Sequence, residues 1–393
     1  MSEPARLLTK PFGLLVAGHF MQALGYSSML LLPLYLQELR ASRTEIGLAM
    51  GIAAVAGLLT RPVVGWGLDR WGRKPLLLAG TLLASLGMVL IAGVTRMGPL
   101  IYLQRMIFGI GEGVLFTAYF TFAADLVPAS RRTEGLALFG VSGLVPMLIN
   151  PLSDVIGITP PSLRWFIPAL GGIVAASALP LIPLRDSARE GTAERPPMRA
   201  AWPVLSHRKL WSVWLAAAAF SALVAIFMTF ATVAAQRQGI ERAPSLWLSY
   251  ALGAVSVRVF GGRLPDRLGP HNLVAPAIAA YVTAMLLAGR AESFSDFLVA
   301  ALLAGVGHGY CFPVLTSQVV TRSSADFRGT ALAAFTAIWG LSELVTAPLF
   351  GAIADAYDDA TMFLGAAAFG TLSLVGWAGL EHRFVSSADR SVA

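Results

Sequence analysis

Twelve long apolar segments constrain the fold of this chain more than any other feature. Each is close to the 20 mostly hydrophobic residues that an α-helix needs to cross the hydrocarbon core of a bilayer. Only 13% of the residues are charged, whereas a soluble domain carries about a quarter. We therefore expect an all-α membrane protein with twelve transmembrane helices. The segments are 12–36, 44–67, 75–95, 98–124, 134–157, 164–184, 210–235, 243–264, 272–290, 296–321, 329–354 and 360–380.

The basic residues predict the orientation of these helices. If both termini lie on one side, nineteen of the 29 lysine and arginine residues fall on that side, seven on the other and three inside the spans. Loops facing the cytoplasm carry an excess of Lys and Arg. We expect an integral protein of the cell (inner) membrane with both termini in the cytoplasm. The net charge of +7 then reflects topology, and no nucleic-acid partner is expected.

The chain divides into two halves that resemble each other. Residues 185–209 form the longest polar interruption and read as a cytoplasmic linker between residues 1–184 and 210–393. Such a duplication is typical of transporters that rock two pseudo-symmetric six-helix bundles about a central site. At an offset of 197, five residues recur in the second half: Arg61, Gly65, Asp69, Arg70 and Gly72 reappear as Arg258, Gly262, Asp266, Arg267 and Gly269.

Two motifs carry a resemblance to a known family. The first is Gly65-x-x-x-Asp69-Arg70-x-Gly72-Arg73-Lys74 after span 2, and the second is Leu103-Gln104-Arg105-x-x-x-Gly109-x-Gly111 in span 4. Both resemble signature sequences of the major facilitator superfamily, and the chain looks most like its drug/proton antiporter branch. Span 5 departs from that branch because it lacks a Gly-Pro pair.

The resemblance implies roles for these motif residues. It implies that the first loop latches the bundles on the cytoplasmic side, with Asp69 facing the start of span 11 near Arg328. The other reading is a basic loop that only sets topology. The implied latch residues are Gly65, Asp69, Arg70, Gly72 and Arg73, with Asp266 and Arg267 in the degenerate second copy. The resemblance also implies that Arg105 takes part in proton coupling.

Ionisable residues inside spans are costly and point to function. Glu112 lies near the middle of span 4, seven residues after Arg105 and close to the same helix face. Burial in low dielectric favours the neutral carboxyl group. Glu112 is therefore the expected proton site, and Arg105 is expected to set its pKa. Glu343 in span 11 is the rival carboxylate. A purely structural contact between Arg105 and Glu112 remains the alternative.

Further polar and aromatic residues are candidates for a substrate cavity. His19, Gln22 and Tyr26 form a polar stripe on span 1, which either lines a cavity or joins helices. Phe116 and Tyr119 continue the face of Glu112, and His308 occupies the position equivalent to Glu112 in the second half. Arg61 and Arg258 either brace the repeated motif or bind an anionic substrate.

These patterns favour a secondary transporter, with proton-coupled efflux by antiport as the leading interpretation. The alternatives are proton-coupled uptake of a small anionic metabolite and a transporter-like membrane sensor. No ATP-binding P-loop and no H-E-x-x-H or G-x-S-x-G motif occurs in the sequence, so an enzyme is not expected. We expect no metal and no cofactor other than the proton gradient. The expected partners are a small-molecule substrate and the lipid bilayer, and the protein is expected to be a monomer.

Overall fold

The computed structural model describes residues 8–128, 132–186, 206–261, 264–323 and 328–389. All regular structure in these ranges is helical, as predicted. The first half contains α1 (Lys10–Ser28), α2 (Leu32–Glu38), α3 (Arg43–Arg70), α4 (Arg73–Val89), α5 (Pro99–Leu126), α6 (Arg132–Leu144), α7 (Ile149–Val155) and α8 (Leu163–Ala176). The second half contains α9 (Trp211–Arg237), α10 (Leu246–Phe260), α11 (Leu264–Leu268), α12 (Val274–Ala288), α13 (Phe294–Arg322), α14 (Arg328–Ala356) and α15 (Asp359–Asp389).

Eleven helical segments of the described chain have the length and apolar composition needed to cross a membrane. The first, Lys10–Glu38, joins α1 and α2 through a 3₁₀ turn. Another 3₁₀ turn, Val145–Leu148, contains Pro146 and separates α6 from α7. Proline removes a backbone donor, which explains a break in the α-helical ladder at that point. The eighth expected span corresponds to α10, which has only 15 residues, so the count of twelve spans stays a prediction.

The chain forms two compact units. The first comprises Met1–Ala41 and Ile52–Ala193, and the second comprises Ser42–Gly51 and Glu194–Ala393. The predicted linker falls mostly on residues 187–205, which lie outside the described residues.

Glycines hold α5 close to its neighbours in the first unit. A Cβ atom added at Gly109 or Gly113 would collide with the backbone of α3 at Ala53 or Gly57, and one added at Gly111 would collide with α4 at Ala84. Small residues permit such close approach of helices in membranes. The repeated glycines of span 4 therefore serve helix packing.

The same arrangement recurs inside the second unit. A Cβ atom at Gly305 would collide with the backbone of α10 at Tyr250, and one at Gly307 would lie 2.7 Å from the carbonyl oxygen of Ala277 in α12. Helix α13 is therefore packed between α10 and α12 as closely as α5 is packed between α3 and α4.

The beginning of α3 belongs to the second unit because it packs on α14. Gly47 lies against the backbone at Ala347, Gly51 lies against Leu344, and Gly351 lies against the backbone at Arg43. Ser42 and Glu45 form a capping box, in which each side chain accepts a hydrogen bond from the other residue's backbone N–H.

A carboxylate from α14 adds a second cap to α3. Asp355 accepts hydrogen bonds from the backbone N–H groups of Arg43 (2.8 Å) and Thr44 (2.9 Å). The Arg43 side chain reaches both carboxylate oxygens of Asp359. Next to it, hydrogen bonds from the Thr361 side chain and backbone hold the pKa of Asp358 below its ordinary value. This end of α3 is therefore fixed by charge as well as by glycine packing.

Candidate functional site

The structure joins two of the predicted polar residues in the first unit. Nε2 of Gln22, on α1, donates a hydrogen bond of 2.6 Å to Oε1 of Glu112, on α5. Gln22 is buried, whereas Glu112 is partly exposed. Glu112 lies at the middle of its 28-residue helix. Glu112 in this position has one fixed donor, and the residue keeps part of its surface exposed.

Arg105 lies two turns from Glu112 on the same helix and is buried. Its guanidinium lies 5.3 Å from the centre of the Phe108 ring, within the range of a cation–π contact. Seven residues of an α-helix rise about 10 Å and return to nearly the same face, so Arg105 and Glu112 lie on one side of α5. The predicted pair therefore shares one region of the first unit, although its role in proton coupling stays a prediction.

His19 lies three residues before Gln22 on α1, in a pocket of aromatic rings. Its Nδ1 atom is 2.7 Å from Oγ of Ser142. Its ring stacks on Phe139 at 4.4 Å and meets the edge of Tyr119 at 5.0 Å. Ser142 was not predicted, because a single serine in an apolar helix carries no signal.

The other predicted cavity residues of the first unit differ in exposure. Tyr119 is fully buried, whereas Tyr26 and Phe116 are about half exposed. Phe116 packs against Phe120 with ring centres 5.0 Å apart. Their contact with substrate stays a prediction.

His308 has a comparable aromatic setting in the second unit. Its Nδ1 atom is 2.5 Å from the hydroxyl of Tyr250, which lies 3.1 Å from the hydroxyl of Tyr281. Phe220 and Trp339 lie beside the imidazole, at ring distances of 5.7 and 6.4 Å. Of these residues, only His308 was predicted as a candidate.

Glu343 lies on α14 and is partly buried. It belongs to the second unit, whereas Gln22 and Glu112 belong to the first. The neighbouring Ser342 donates a hydrogen bond of 2.9 Å to the carbonyl oxygen of Ala218 on α9. Glu343 stays the second candidate for the proton site, beside Glu112.

The signature loop is held together within the first unit. Arg73 is buried, and its Nε atom donates to Oδ2 of Asp125 at 2.8 Å while its Nη1 atom donates to the carbonyl oxygen of Leu68. Arg73 thus braces the loop against the end of α5. Asp125 was not predicted, because it sits 52 residues away in the chain.

A second unpredicted acid, Asp186, caps α4. Its carboxylate accepts hydrogen bonds from the backbone N–H groups of Arg73 (2.9 Å) and Lys74 (3.3 Å). The Lys74 ammonium donates to the carbonyl oxygens of Ile182 and Leu184. The chain turns into α4 at Gly72, which has a φ of +91°. This φ favours glycine, since L side chains rarely adopt it.

The contacts of the other predicted latch residues do not test the latch, which stays a prediction. The Arg70 guanidinium lies 5.6 Å from the centre of the Trp66 ring, and Arg267 is exposed. Gly65 lies within α3. The side chains of Asp69, Asp266 and Arg328 lie outside the described ones.

Two arginines at equivalent positions of α3 and α10 have no counter-ion in the described part of the chain. The Nε atom of Arg61 is buried without a hydrogen-bond partner. Arg258 is accessible and forms no ion pair or hydrogen bond with a described residue. An unneutralised guanidinium within a span is costly, so these two side chains are candidates for binding an anion.

The described residues contain no group of three or more His, Cys, Asp or Glu side chains that could hold a metal ion. The functional candidates are two carboxylates, Glu112 and Glu343, two histidines in aromatic pockets, and two arginines without a described counter-ion.

Known proteins resemble this chain in sequence. An uncharacterized MFS-type transporter of Salmonella typhimurium is 26% identical over 360 residues, which cover 86% of this chain and 88% of that protein. The probable nitrate/nitrite transporter NarK2 of Mycobacterium tuberculosis is 27% identical over 350 residues, which cover 83% of this chain and 84% of NarK2.

Solved structures share the fold. The nucleoside transporter NupG matches with a TM-score of 0.79 and 14% identity, over 95% of this chain and 99% of NupG. A bacterial homolog of the human lysosomal transporter Spinster matches with a TM-score of 0.72 and 15% identity, over 98% of this chain and 99% of that structure. The family model of the Major Facilitator Superfamily matches residues 14–345 and 248–391. The match extends over most of the chain, and the protein therefore belongs to the major facilitator superfamily of secondary transporters.

Proposed function

We propose that the protein couples the transport of a small molecule to protons, with Glu112 as the group that binds the proton. The hydrogen bond between Gln22 and Glu112 carries this proposal. It gives an ionised carboxylate a donor on another helix while leaving the group partly exposed. A carboxylate that is both stabilised and accessible is able to exchange a proton.

Protonation changes what Glu112 requires from its neighbours. An ionised carboxylate only accepts hydrogen bonds, whereas a protonated one also donates. The amide of Gln22 satisfies the ionised form through Nε2. The protonated form needs an acceptor in addition, so the contact between α1 and α5 differs between the two forms. Arg105 favours the ionised form through its charge.

Export in exchange for protons is the direction that follows if the substrate binds best while Glu112 is ionised. A proton that binds Glu112 then changes the contact between α1 and α5 and favours release of the substrate. This corresponds to antiport, as in the drug/proton branch that the motifs resemble. The distribution of basic residues supports a cell (inner) membrane location with cytoplasmic termini, and the signature loop is assigned to the conformational change.

Proton-coupled uptake of a small anion is the second candidate. It is supported by Arg61 and Arg258, which occupy equivalent positions in the two halves and have no described counter-ion. The name of NarK2, a probable nitrate/nitrite transporter, favours the same chemistry. In this case Glu112 would carry the proton that accompanies the anion.

Proteoliposomes that contain a pH-sensitive dye test both candidates. A panel of nitrate, sulfonates, carboxylates, nucleosides, amino acids and quaternary amines is added outside, and proton movement is recorded for each compound. We expect a proton flux that depends on one class of compound in the wild type. The sign of the flux separates antiport from symport.

Three variants assign the proton site. Glu112→Gln is nearly isosteric and always neutral, so proton flux should fall to background while binding of the same compound remains measurable. Glu343→Gln tests the rival carboxylate, and Glu241→Gln is the control because Glu241 is an exposed loop residue. Wild-type proton flux in Glu112→Gln would refute the assignment of Glu112.

A further inference from the structure

Three partly exposed rings lie next to one another in the second unit. His308 and Phe312 are one turn apart on α13, and Trp339 lies on α14. The ring centre of Trp339 is 5.7 Å from that of Phe312 and 6.4 Å from that of His308. We call these three residues the aromatic surface. Each ring has an accessible part, so a planar ligand can contact it.

Buried rings hold the aromatic surface in place from behind. Phe220 is fully buried and meets both Trp339 (5.2 Å) and His308 (5.7 Å) edge-on. Phe335, also buried, packs against Phe312 at 5.8 Å. Rings locked by packing lose little conformational freedom when a ligand binds, which favours affinity.

The polar groups considered beside this surface are the imidazole of His308 and the guanidinium of Arg258. Nδ1 of His308 is engaged by the Tyr250 hydroxyl, whereas Nε2 forms no hydrogen bond with a described residue. Arg258 follows Val257 on α10, and the Val257 side chain packs against Gly309, the residue after His308 on α13. Its guanidinium is accessible and has no described counter-ion. The surface thus combines aromatic faces, one imidazole nitrogen and one unneutralised cation.

We propose that the aromatic surface and Arg258 together bind the substrate, and that this substrate is a planar aromatic ring carrying an anionic group. The ring packs against Phe312 and Trp339, and the anion pairs with Arg258. This inference rests on the proposed function, since it names the substrate class of that transporter.

The chemistry favours an aromatic ring over an aliphatic one of equal size. Aromatic pairs in offset or edge-to-face geometry gain stability beyond the area that they bury. An anion is favoured over a neutral group because Arg258 is otherwise left without a partner inside a span. Glu343 is one turn from Trp339 on α14, so the anionic group must point away from it and toward Arg258.

Equilibrium binding to the purified wild-type protein tests this inference with benzenesulfonate. Cyclohexanesulfonate is the matched control, because it has the same charge and nearly the same size without an aromatic ring. Benzyltrimethylammonium keeps the ring and reverses the charge. We expect benzenesulfonate to bind about three- to tenfold more tightly than cyclohexanesulfonate. The ammonium compound should bind more weakly than both.

Variants locate the binding site. Arg258→Gln should weaken benzenesulfonate binding by about ten- to a hundredfold, whereas Arg290→Gln, which changes an exposed arginine in the turn after α12, should leave it unchanged. Trp339→Leu should remove the preference for the aromatic sulfonate, and Trp211→Leu controls for loss of a partly exposed tryptophan. Thermal unfolding of each variant verifies that it is folded, and the comparison of ligands on the wild type requires no variant.

The outcomes separate this inference from the proposed function. Equal binding of the two sulfonates, tighter binding of the ammonium compound, or benzenesulfonate binding that Arg258→Gln leaves unchanged or weakens no more than Arg290→Gln does would each overturn it. Proton flux driven by some other compound and lost in Glu112→Gln would then leave the proposed function intact. Tight benzenesulfonate binding without any coupled proton flux would support the aromatic surface and refute the proposed function.

Discussion

Replacing Gly72 with alanine tests whether the signature loop depends on its cap from Asp186. A Cβ atom at Gly72 would lie within 2.8 Å of all three carboxyl atoms of Asp186, so the carboxylate must leave the start of α4. A φ of +91° adds a strain of about 1–2 kcal/mol for an L residue. Loss of the cap adds about 1 kcal/mol. We expect Gly72→Ala to lower the free energy of unfolding by about 2–3 kcal/mol.

The control is Gly157→Ala. Gly157 also has a positive φ, +74°, but a Cβ atom there would meet nothing within 4 Å, so this change measures backbone strain alone. Asp186→Ala measures the cap alone, and the double variant Gly72→Ala with Asp186→Ala should cost less than the sum of its parts by about 1 kcal/mol. Unfolding by SDS in mixed micelles, followed by circular dichroism, provides the values. If Gly72→Ala costs no more than Gly157→Ala, the cap contributes nothing.

Two further substitutions probe the charged contacts of the second unit in the same unfolding assay. Asp355→Ala removes the carboxylate that caps the start of α3 and should destabilise the protein by about 1–2 kcal/mol; Asp355→Asn, which keeps an acceptor oxygen, should cost less, and equal losses would contradict the capping role. Glu381→Gln weakens a nearly buried ion pair with Arg322, in which both side chains are 10% exposed. Because it leaves a guanidinium without its counter-ion, it should cost about 3 kcal/mol or more, and a loss below about 1 kcal/mol would show that the pair contributes little.

The positions of the membrane helices could be predicted because one physical requirement sets them. A span must be apolar for about 20 residues, and the length of an apolar segment can be measured directly from consecutive residues. The segment expected at 98–124 is the helix Pro99–Leu126, and the segment expected at 210–235 is Arg208–Arg237. Charged residues near the ends of these segments mark the boundaries to within a few residues.

Helix α10 shows where this reasoning stops. The apolar segment at 243–264 is long enough to cross a bilayer, but α10 ends at Phe260. Gly261 and Gly262 follow at once in the sequence. Glycine is unfavourable in a helix interior by about 1 kcal/mol relative to alanine. Hydropathy measures apolar length and is insensitive to this local cost.

The pairing of polar residues could not be predicted from the sequence. Gln22 and Glu112 were each candidates, but 90 residues separate them and no local pattern links them. Ser142, Asp125 and Asp186 were missed for the same reason, since each acquires its role only from a partner brought close by packing. Local periodicity assigns a residue to a helix face, whereas helix packing decides which side chain lies opposite it.

The repeat nevertheless carries information about both candidate sites. Glu112 lies between Gly111 and Gly113, and His308 lies between Gly307 and Gly309. In each unit these glycines press the helix against two neighbours, so the side chain between them is held in a fixed position. The scaffold is thus the same at the two equivalent positions while the chemistry differs, with a carboxylate bound to an amide in one unit and an imidazole among aromatic rings in the other. A repeat that keeps the packing glycines and changes the residue between them can divide two tasks between its halves. The carboxylate suits proton binding and the aromatic surface suits substrate binding, which is the division that the two proposals assign.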